Sequence, residues 1–259
     1  MSSVATQLSV DAPFCASGEA IEVDLPGARA LFTTRRGGVS RGAFASLNLG
    51  LWTDDDPACV AANRERVAER VGIACERFAQ GRQVHGTTVR RLSETPDPGE
   101  EPAPADGQAT SARDVAPVVL VADCLPVALA ADGAVAMVHA GWRGLAGGVL
   151  EAGVAALREL GADGPLEAAV GPGAGGCCYE VGPEVVGAFA GQPDSVSSQP
   201  GGPHRLDLKL AARQRLLAAG ARAVHDVGIC TLCADPSLLF SHRRDGGRTG
   251  RQAGVAWRL

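Results

Sequence analysis

At 259 residues, the chain is long enough to bury a real core, as one large α/β domain or two small ones. Its 46% hydrophobic and 20% charged residues, with a net charge of −5, are those of an ordinary soluble globular protein. They exclude the positive excess that nucleic acid or an anionic membrane surface requires.

The N-terminal stretch MSSVATQLSVDAPF has neither a basic n-region nor a continuous apolar run, so no signal peptide is expected. The eight cysteines are then read as reduced thiols of a cytoplasmic protein. Ile21–Leu25 reads as an edge strand. Ala30–Thr34 reads as a strand feeding the loop Arg35-Arg36-Gly37-Gly38-Val39-Ser40, which either turns a hairpin or brings amides and arginines to a ligand. Asp54, Asp55, Asp56 and Pro57 predict a helix start, and Val60, Asn63, Val67 and Val71 follow at helical spacing. Gln80–Val89 is expected to be a strand with Gln83 and His85 on one face. Ser93–Gly107 is acidic and proline-rich and reads as a solvated loop, and Gln192–His204 as a second mobile break.

The stretch 115–148 organises the rest. Val118–Ala122 forms an apolar run ending at Asp123-Cys124, and Pro126 should break or shift the ladder there. Val127–Ala131 ends in Asp132-Gly133, suited to a tight hairpin, and Ala134–Val138 leads to His139. Leu145, Val149, Ala152, Ala156 and Leu160 then recur at helical spacing, with Arg143 in a glycine-flanked turn at the helix start. Further on, Leu206–Gly220 is expected to be helical, Val224–Cys230 a strand and Gly250–Leu259 a closing strand.

His85, Cys124 and His139 are the residues most able to carry chemistry. Three N/S ligands with a fourth position open are what catalytic zinc requires. On the residues alone, a buried structural cysteine with two hydrogen-bonded histidines is the plainer alternative. A cysteine–histidine pair also suits a thiol nucleophile, a role that competes with zinc for the same sulfur. Copper is a third reading, with Met137 as a weak axial ligand. Five histidines and no His-x-His pair are too few imidazoles for a multicopper cluster. Cys230-x-x-Cys233 looks like half a zinc knuckle or a redox pair, but adjacent Cys177-Cys178 has the wrong spacing to complete a four-cysteine site. All four are expected as buried thiols.

HAGWRG at 139–144, with ADC at 122–124, resembles the bacterial laccase-domain family, also called the multicopper polyphenol oxidase or YfiH family. TTRRGGVS at 33–40, SLNLG at 46–50, QVHG at 83–86, ADG at 105–107, GCCYEVG at 176–182 and CTLCADPSLLFSHRRDGGRTGR at 230–251 follow the family's motif order. The resemblance implies a single α/β (α+β) domain over 1–259, with a β-sandwich core flanked by helices, similar to cytotoxic necrotizing factor catalytic domains. It also implies a zinc-dependent purine nucleoside phosphorylase acting on adenosine, inosine, guanosine and S-methyl-5'-thioadenosine, with an adenosine deaminase side activity. By the same resemblance His85, Cys124 and His139 are metal ligands and catalytic residues, and Asn48, Arg143 and Arg243 bind substrate. The partners implied are purine nucleosides and phosphate, with no nucleic acid and no membrane, and the oligomeric state is left open. A peptidoglycan-precursor editing hydrolase, removing L-serine-containing UDP-MurNAc products through Cys124 and His139, is the runner-up. His242 stands where many relatives carry tyrosine, which leaves substrate contacts near it open.

Overall fold

The apolar stretch 116–140 folds as three strands, but they do not share one sheet. Strand β7 (Ala116–Val121) belongs to a first sheet, and β8 (Leu125–Asp132) and β9 (Ala134–Ala140) to a second. The crossing is made at Asp123-Cys124, where Asp123 adopts the left-handed conformation with φ +93°. Pro126 is tolerated as the second residue of β8, opposite His139. The two-residue turn Asp132-Gly133 closes the β8–β9 hairpin, and Gly133 supplies the positive φ of 96°.

The computed structural model describes residues 8–92, 102–198 and 200–259. The first sheet runs β1 (Cys15–Ser17), β2 (Ala20–Leu25), β3 (Ala28–Thr33), β15 (Gln252–Arg258), β7, β4 (Phe78–Ala79). The second runs β14 (Ala221–Asp226), β10 (Asp163–Val170), β8, β9, β6 (Gly107–Thr110), β5 (Val89–Leu92). A small third sheet places β13 (His204–Leu206) between β11 (Glu180–Val181) and β12 (Val196–Ser198). The C-terminal strand thus lies at the centre of the first sheet, pairing with β3 and β7.

Strand alternation explains how the large sheets stack. Val119 and Val121 of β7 and Val135 and Met137 of β9 pack together in one buried cluster between the sheets. Val118 and Leu120 face outward to helix α1 (Pro57–Val71), through Val67 and Val71. Ala136, Val138 and Ala140 face α3 (Val149–Glu159) and α5 (Leu208–Ala218), through Leu150, Leu157 and Leu216. Both faces of these strands are buried, which is why their sequences are continuously apolar. The result is a β-sandwich flanked by helices, as expected.

Helix α1 begins at Pro57, with the Asp56 side chain accepting from the Ala58 amide, and ends at Gly72 with φ +71°. Helix α5 is capped by Asp207, whose carboxylate accepts from the Lys209 and Leu210 amides. Three expectations are corrected. The helix after His139 is broken: α2 (Trp142–Gly147) stops at Gly148, whose φ of +98° is left-handed, and α3 starts afresh. Strand β2 is not an edge, because β1 covers it. The break 192–204 contains the paired strand β12, followed by β13. The expected loop 93–107 falls largely on 93–101, outside the described residues. Among those described, no helix is long and apolar enough to cross a membrane. The remaining helix, α4 (Pro183–Ala188), is a short cover over the third sheet.

Candidate metal centre

Asp106 is the residue from which the site is built. It immediately precedes β6, which pairs antiparallel with β9, so the register sets it beside His139. Its carboxylate is fully buried and accepts from the amides of Val84 (3.2 Å), His85 (2.9 Å) and Gly86 (2.7 Å). It also accepts a hydrogen bond from His139 Nδ1 at 2.8 Å. Burial alone would raise its pKa, but His139 and the loop amides hold it below the usual carboxylate range. One carboxylate therefore positions both histidines. Alternation over Gln80–Val89 predicts His85 on a strand; the residue instead sits in a loop at φ +59°, held by those amide bonds and not by a ladder. The regular pairing of Gln80–Val89 is lost because its amides turn inward to a side chain.

His85, Cys124 and His139 converge. One ligand atom from each lies within 4.8 Å of the others, and Cys124 Sγ is 3.8 Å from His85 Nε2. Ligands on a tetrahedral zinc, with bonds of roughly 2.0–2.3 Å, stand about 3.6 Å apart, so the donor set fits that ion. With Nδ1 engaged by Asp106, His139 keeps Nε2 for the cluster, the arrangement in which a carboxylate orients a metal-binding imidazole. Burial opposes charge on both members of the His139–Cys124 pair. Yet Cys124 and Asp106 raise the His139 pKa, and His139 and His85 lower that of Cys124. Met137 does not join them; it packs between the sheets beside Gly254.

Gly141 shows how closely the cluster is fitted. A Cβ there would lie 2.8 Å from His85 Cδ2 and 2.9 Å from Cys124 Sγ. Gly141→Ala should therefore leave the sandwich folded and push these two groups apart. Zinc affinity at this cluster, measured by chelator competition, should fall on the order of 10–100-fold. An unchanged affinity would place the metal elsewhere.

The cluster floors a cavity of about 380 Å³, within the range of small-molecule sites. Leu51, Trp52, Trp142 and Tyr179 give it apolar and aromatic walls, and Arg143, Arg243 and Arg251 contribute positive charge. Arg143 lies over the Trp142 ring, 4.3 Å from its centroid. Arg243 lies over Tyr179 at 5.1 Å and donates to the Glu180 carbonyl. Burial pushes the Tyr179 phenol up to about 12, so it stays neutral. His242 also lines the cavity.

Asn48 is differently placed. It is fully buried, outside the cavity lining, and its amide is consumed within the protein. Its Nδ2 donates to Thr53 and Asp55, and its Oδ1 accepts from the Gly50 and Arg251 amides. Its contact with cavity residues is therefore indirect, through Gly50, Thr53 and Arg251, all of which line the wall. Arg251, Asp106 and Asp123 lie within the motifs at 230–251, 105–107 and 122–124, and only their tertiary contacts mark them as part of the site. Asp123 secures the other wall, accepting from Thr231 Oγ1 at 2.6 Å and from the Arg243 amide at 2.7 Å.

The cysteine expectation is overturned. Cys177, Cys178, Cys230 and Cys233 cluster within 4.8 Å, Cys177 and Cys233 are exposed, and Cys178 and Cys233 are joined as a disulfide. Sequence spacing judged them incompatible, but the tertiary fold brings two separate turns together.

Comparison with known proteins agrees with this architecture. The chain is 45% identical over 247 residues to a purine nucleoside phosphorylase of Xylella fastidiosa, covering 90% of this chain and 93% of that protein. It superposes on the crystal structure of YlmD from Geobacillus stearothermophilus with a TM-score of 0.87 and 36% identity, covering 95% and 98% of the two chains. Bacillus licheniformis YfiH gives the same TM-score at 29% identity, over 96% of this chain and all of that one. The family described as multi-copper polyphenol oxidoreductase laccase matches residues 29–259, nearly the whole length, and the chain belongs to that family.

Proposed function

We propose that residues 1–259 form one cytoplasmic domain that acts as a zinc-dependent purine nucleoside phosphorylase. Its substrates would be phosphate with adenosine, inosine, guanosine or S-methyl-5'-thioadenosine, and adenosine deamination would be a side activity. The observation that carries this reading is one cavity combining a His–Cys–His floor with aromatic and arginine walls. Relatives at 38–45% identity bear the phosphorylase name.

Each part has a physical role. Trp52, Trp142 and Tyr179 offer faces on which a purine can stack. The neutral Tyr179 hydroxyl can donate a hydrogen bond without adding charge. Arginine forks suit phosphate and the negative charge that accompanies attack on the sugar. His85, Cys124 and His139 would hold zinc, which when bound supplies a Lewis acid at the cavity floor. Asp106 keeps His139 in the required tautomer.

Incubation with adenosine and phosphate should yield adenine and ribose 1-phosphate, with inosine from deamination. Omitting phosphate should stop base release and spare deamination. A second reading draws on the lowered Cys124 pKa, which favours a thiolate nucleophile. If no nucleoside product forms while an L-serine-containing peptidoglycan precursor is cleaved, that editing hydrolase replaces the first.

Arg143→Ala separates phosphate binding from the rest of the site. The six-residue α2 contributes little dipole, so the guanidinium itself must do the gripping. Losing one charge-assisted hydrogen bond of about 2 kcal/mol should lower kcat/KM for phosphorolysis about 30-fold. Deamination should change much less, and zinc content not at all. Equal loss of both activities would show that Arg143 holds the nucleoside or the local fold instead.

A further inference from the structure

We propose that Cys177, Cys178, Cys230 and Cys233, once the Cys178–Cys233 bond is reduced, form a second zinc site of four thiolates, separate from the cavity floor. The four sulfurs already lie within 4.8 Å of one another, and Cys177 Sγ stands 3.4 Å from Cys233 Sγ. Four sulfurs around zinc, at bond lengths of about 2.3 Å, are spaced about 3.8 Å apart, so small movements complete the tetrahedron.

The backbone around them is arranged for sulfur. The first turn is closed by the Cys178 and Tyr179 amides donating to the Gly175 carbonyl. The second is closed by the Ala234 amide donating to the Cys230 carbonyl. The turns are joined by Gly173 and Thr231, through Gly173 N to Ile229 O and Thr231 N to Gly173 O. A Cβ at Gly175 would lie 3.2 Å from Cys177 Sγ and 3.3 Å from Cys230 Cβ, so the missing side chain gives the sulfurs room. The Gly175 amide donates to Cys230 Sγ at 3.3 Å, the kind of outer bond that stabilises a ligating thiolate. Arg244, itself paired with Asp245, donates to the Thr231 carbonyl and so braces the second turn.

Cys177 and Cys233 are exposed, so an ion can reach the site. Four protein ligands leave no open position, which makes this zinc structural, unlike the three-ligand floor. It would clamp the 175–179 turn to the 230–234 turn. Tyr179 follows the first pair directly, and Thr231 holds Asp123, the neighbour of Cys124. The disulfide ties the two turns through Cys178 and Cys233 alone, and zinc would tie them through all four sulfurs.

The chemistry balances. A water-soluble phosphine takes an oxygen from water, becoming its oxide, and converts the Cys178–Cys233 bond to two thiols. Zinc then replaces four thiol protons, which pass to the buffer.

The test uses the full chain, reduced by such a phosphine and titrated with zinc against a chromophoric chelator. About two zinc ions per chain should bind, and both Cys124→Ala and Cys230→Ser should lose one, a different one in each case. Wild-type protein supplies a readout that does not depend on a variant folding. Zinc should protect Cys177, Cys178, Cys230 and Cys233 together from alkylation, as mapped by peptide mass. Cobalt(II) at this site should give the intense thiolate charge-transfer absorption of a four-sulfur tetrahedron in Cys124→Ala protein. Equal alkylation of the four with and without zinc would overturn the proposal, as would a single zinc that disappears in Cys124→Ala. Neither result counts against the phosphorylase reading, which depends on the other cluster.

Discussion

On the proposed zinc assignment, His139→Ala is expected to lower bound zinc by about one ion per chain and to reduce phosphorolysis by at least about 100-fold. That is the upper end of what loss of even an outer partner costs a metal site. The imidazole is 3% exposed and faces Cys124 on one side and Asp106 on the other, so no water can replace it without rearrangement. Its removal also leaves the buried Asp106 carboxylate short of one donor, which should cost roughly 1–3 kcal/mol of stability. Metal analysis, product assays and thermal unfolding on one preparation separate these effects. Full occupancy of this cluster and full activity would refute the assignment. Cys124→Ala is the companion experiment: zinc retained at the cluster without this sulfur would reopen its role as a nucleophile.

Asp106→Ala should be the most destabilising single change at the site. Three backbone amides and an imidazole converge on this one carboxylate. Truncation strands all four donors, and removing one partner of a buried charged set costs about 3–5 kcal/mol. The loop 84–86 should then lose its conformation, because its three amides lose their common acceptor while His85 is held at φ +59°. Asp106→Asn retains one accepting oxygen and most of the volume, so its stability loss should be smaller. Its metal affinity should still fall on the order of 10–100-fold, since His139 loses its charged partner. Urea midpoints and chelator competition measure the two quantities. An Asp106→Ala protein with wild-type stability and wild-type metal affinity would contradict the view that this carboxylate organises the site.

The elements that could be read from residues are those whose cause is local. Helix α1 was legible because Asp56-Pro57 caps it and Val60, Asn63, Val67 and Val71 bury one stripe. The β8–β9 hairpin was legible because Asp132-Gly133 is a turn by its own chemistry. The break at Gly148 was missed, since the apolar spacing from Leu145 to Leu160 continues through it; only φ +98° reveals it. His85 was assigned to a strand because alternation says nothing of amides captured by a carboxylate 21 residues away.

Family membership was legible in the motifs, and only through that resemblance was the His85–Cys124–His139 set; the residues by themselves favour a buried cysteine with two hydrogen-bonded histidines. Where those groups meet was decided by the tertiary structure. Two sheets exchange the chain at Asp123-Cys124, and the β6–β9 register sets Asp106 against His139. The same holds for Asn48, whose motif suggested substrate and whose burial makes it a brace. It holds as well for the four cysteines, separated by 55 residues between Cys178 and Cys233 and joined in space. Sequence periodicity reports which face of an element is buried; contacts between distant turns depend on how sheets and helices pack, and that is a property of the whole chain.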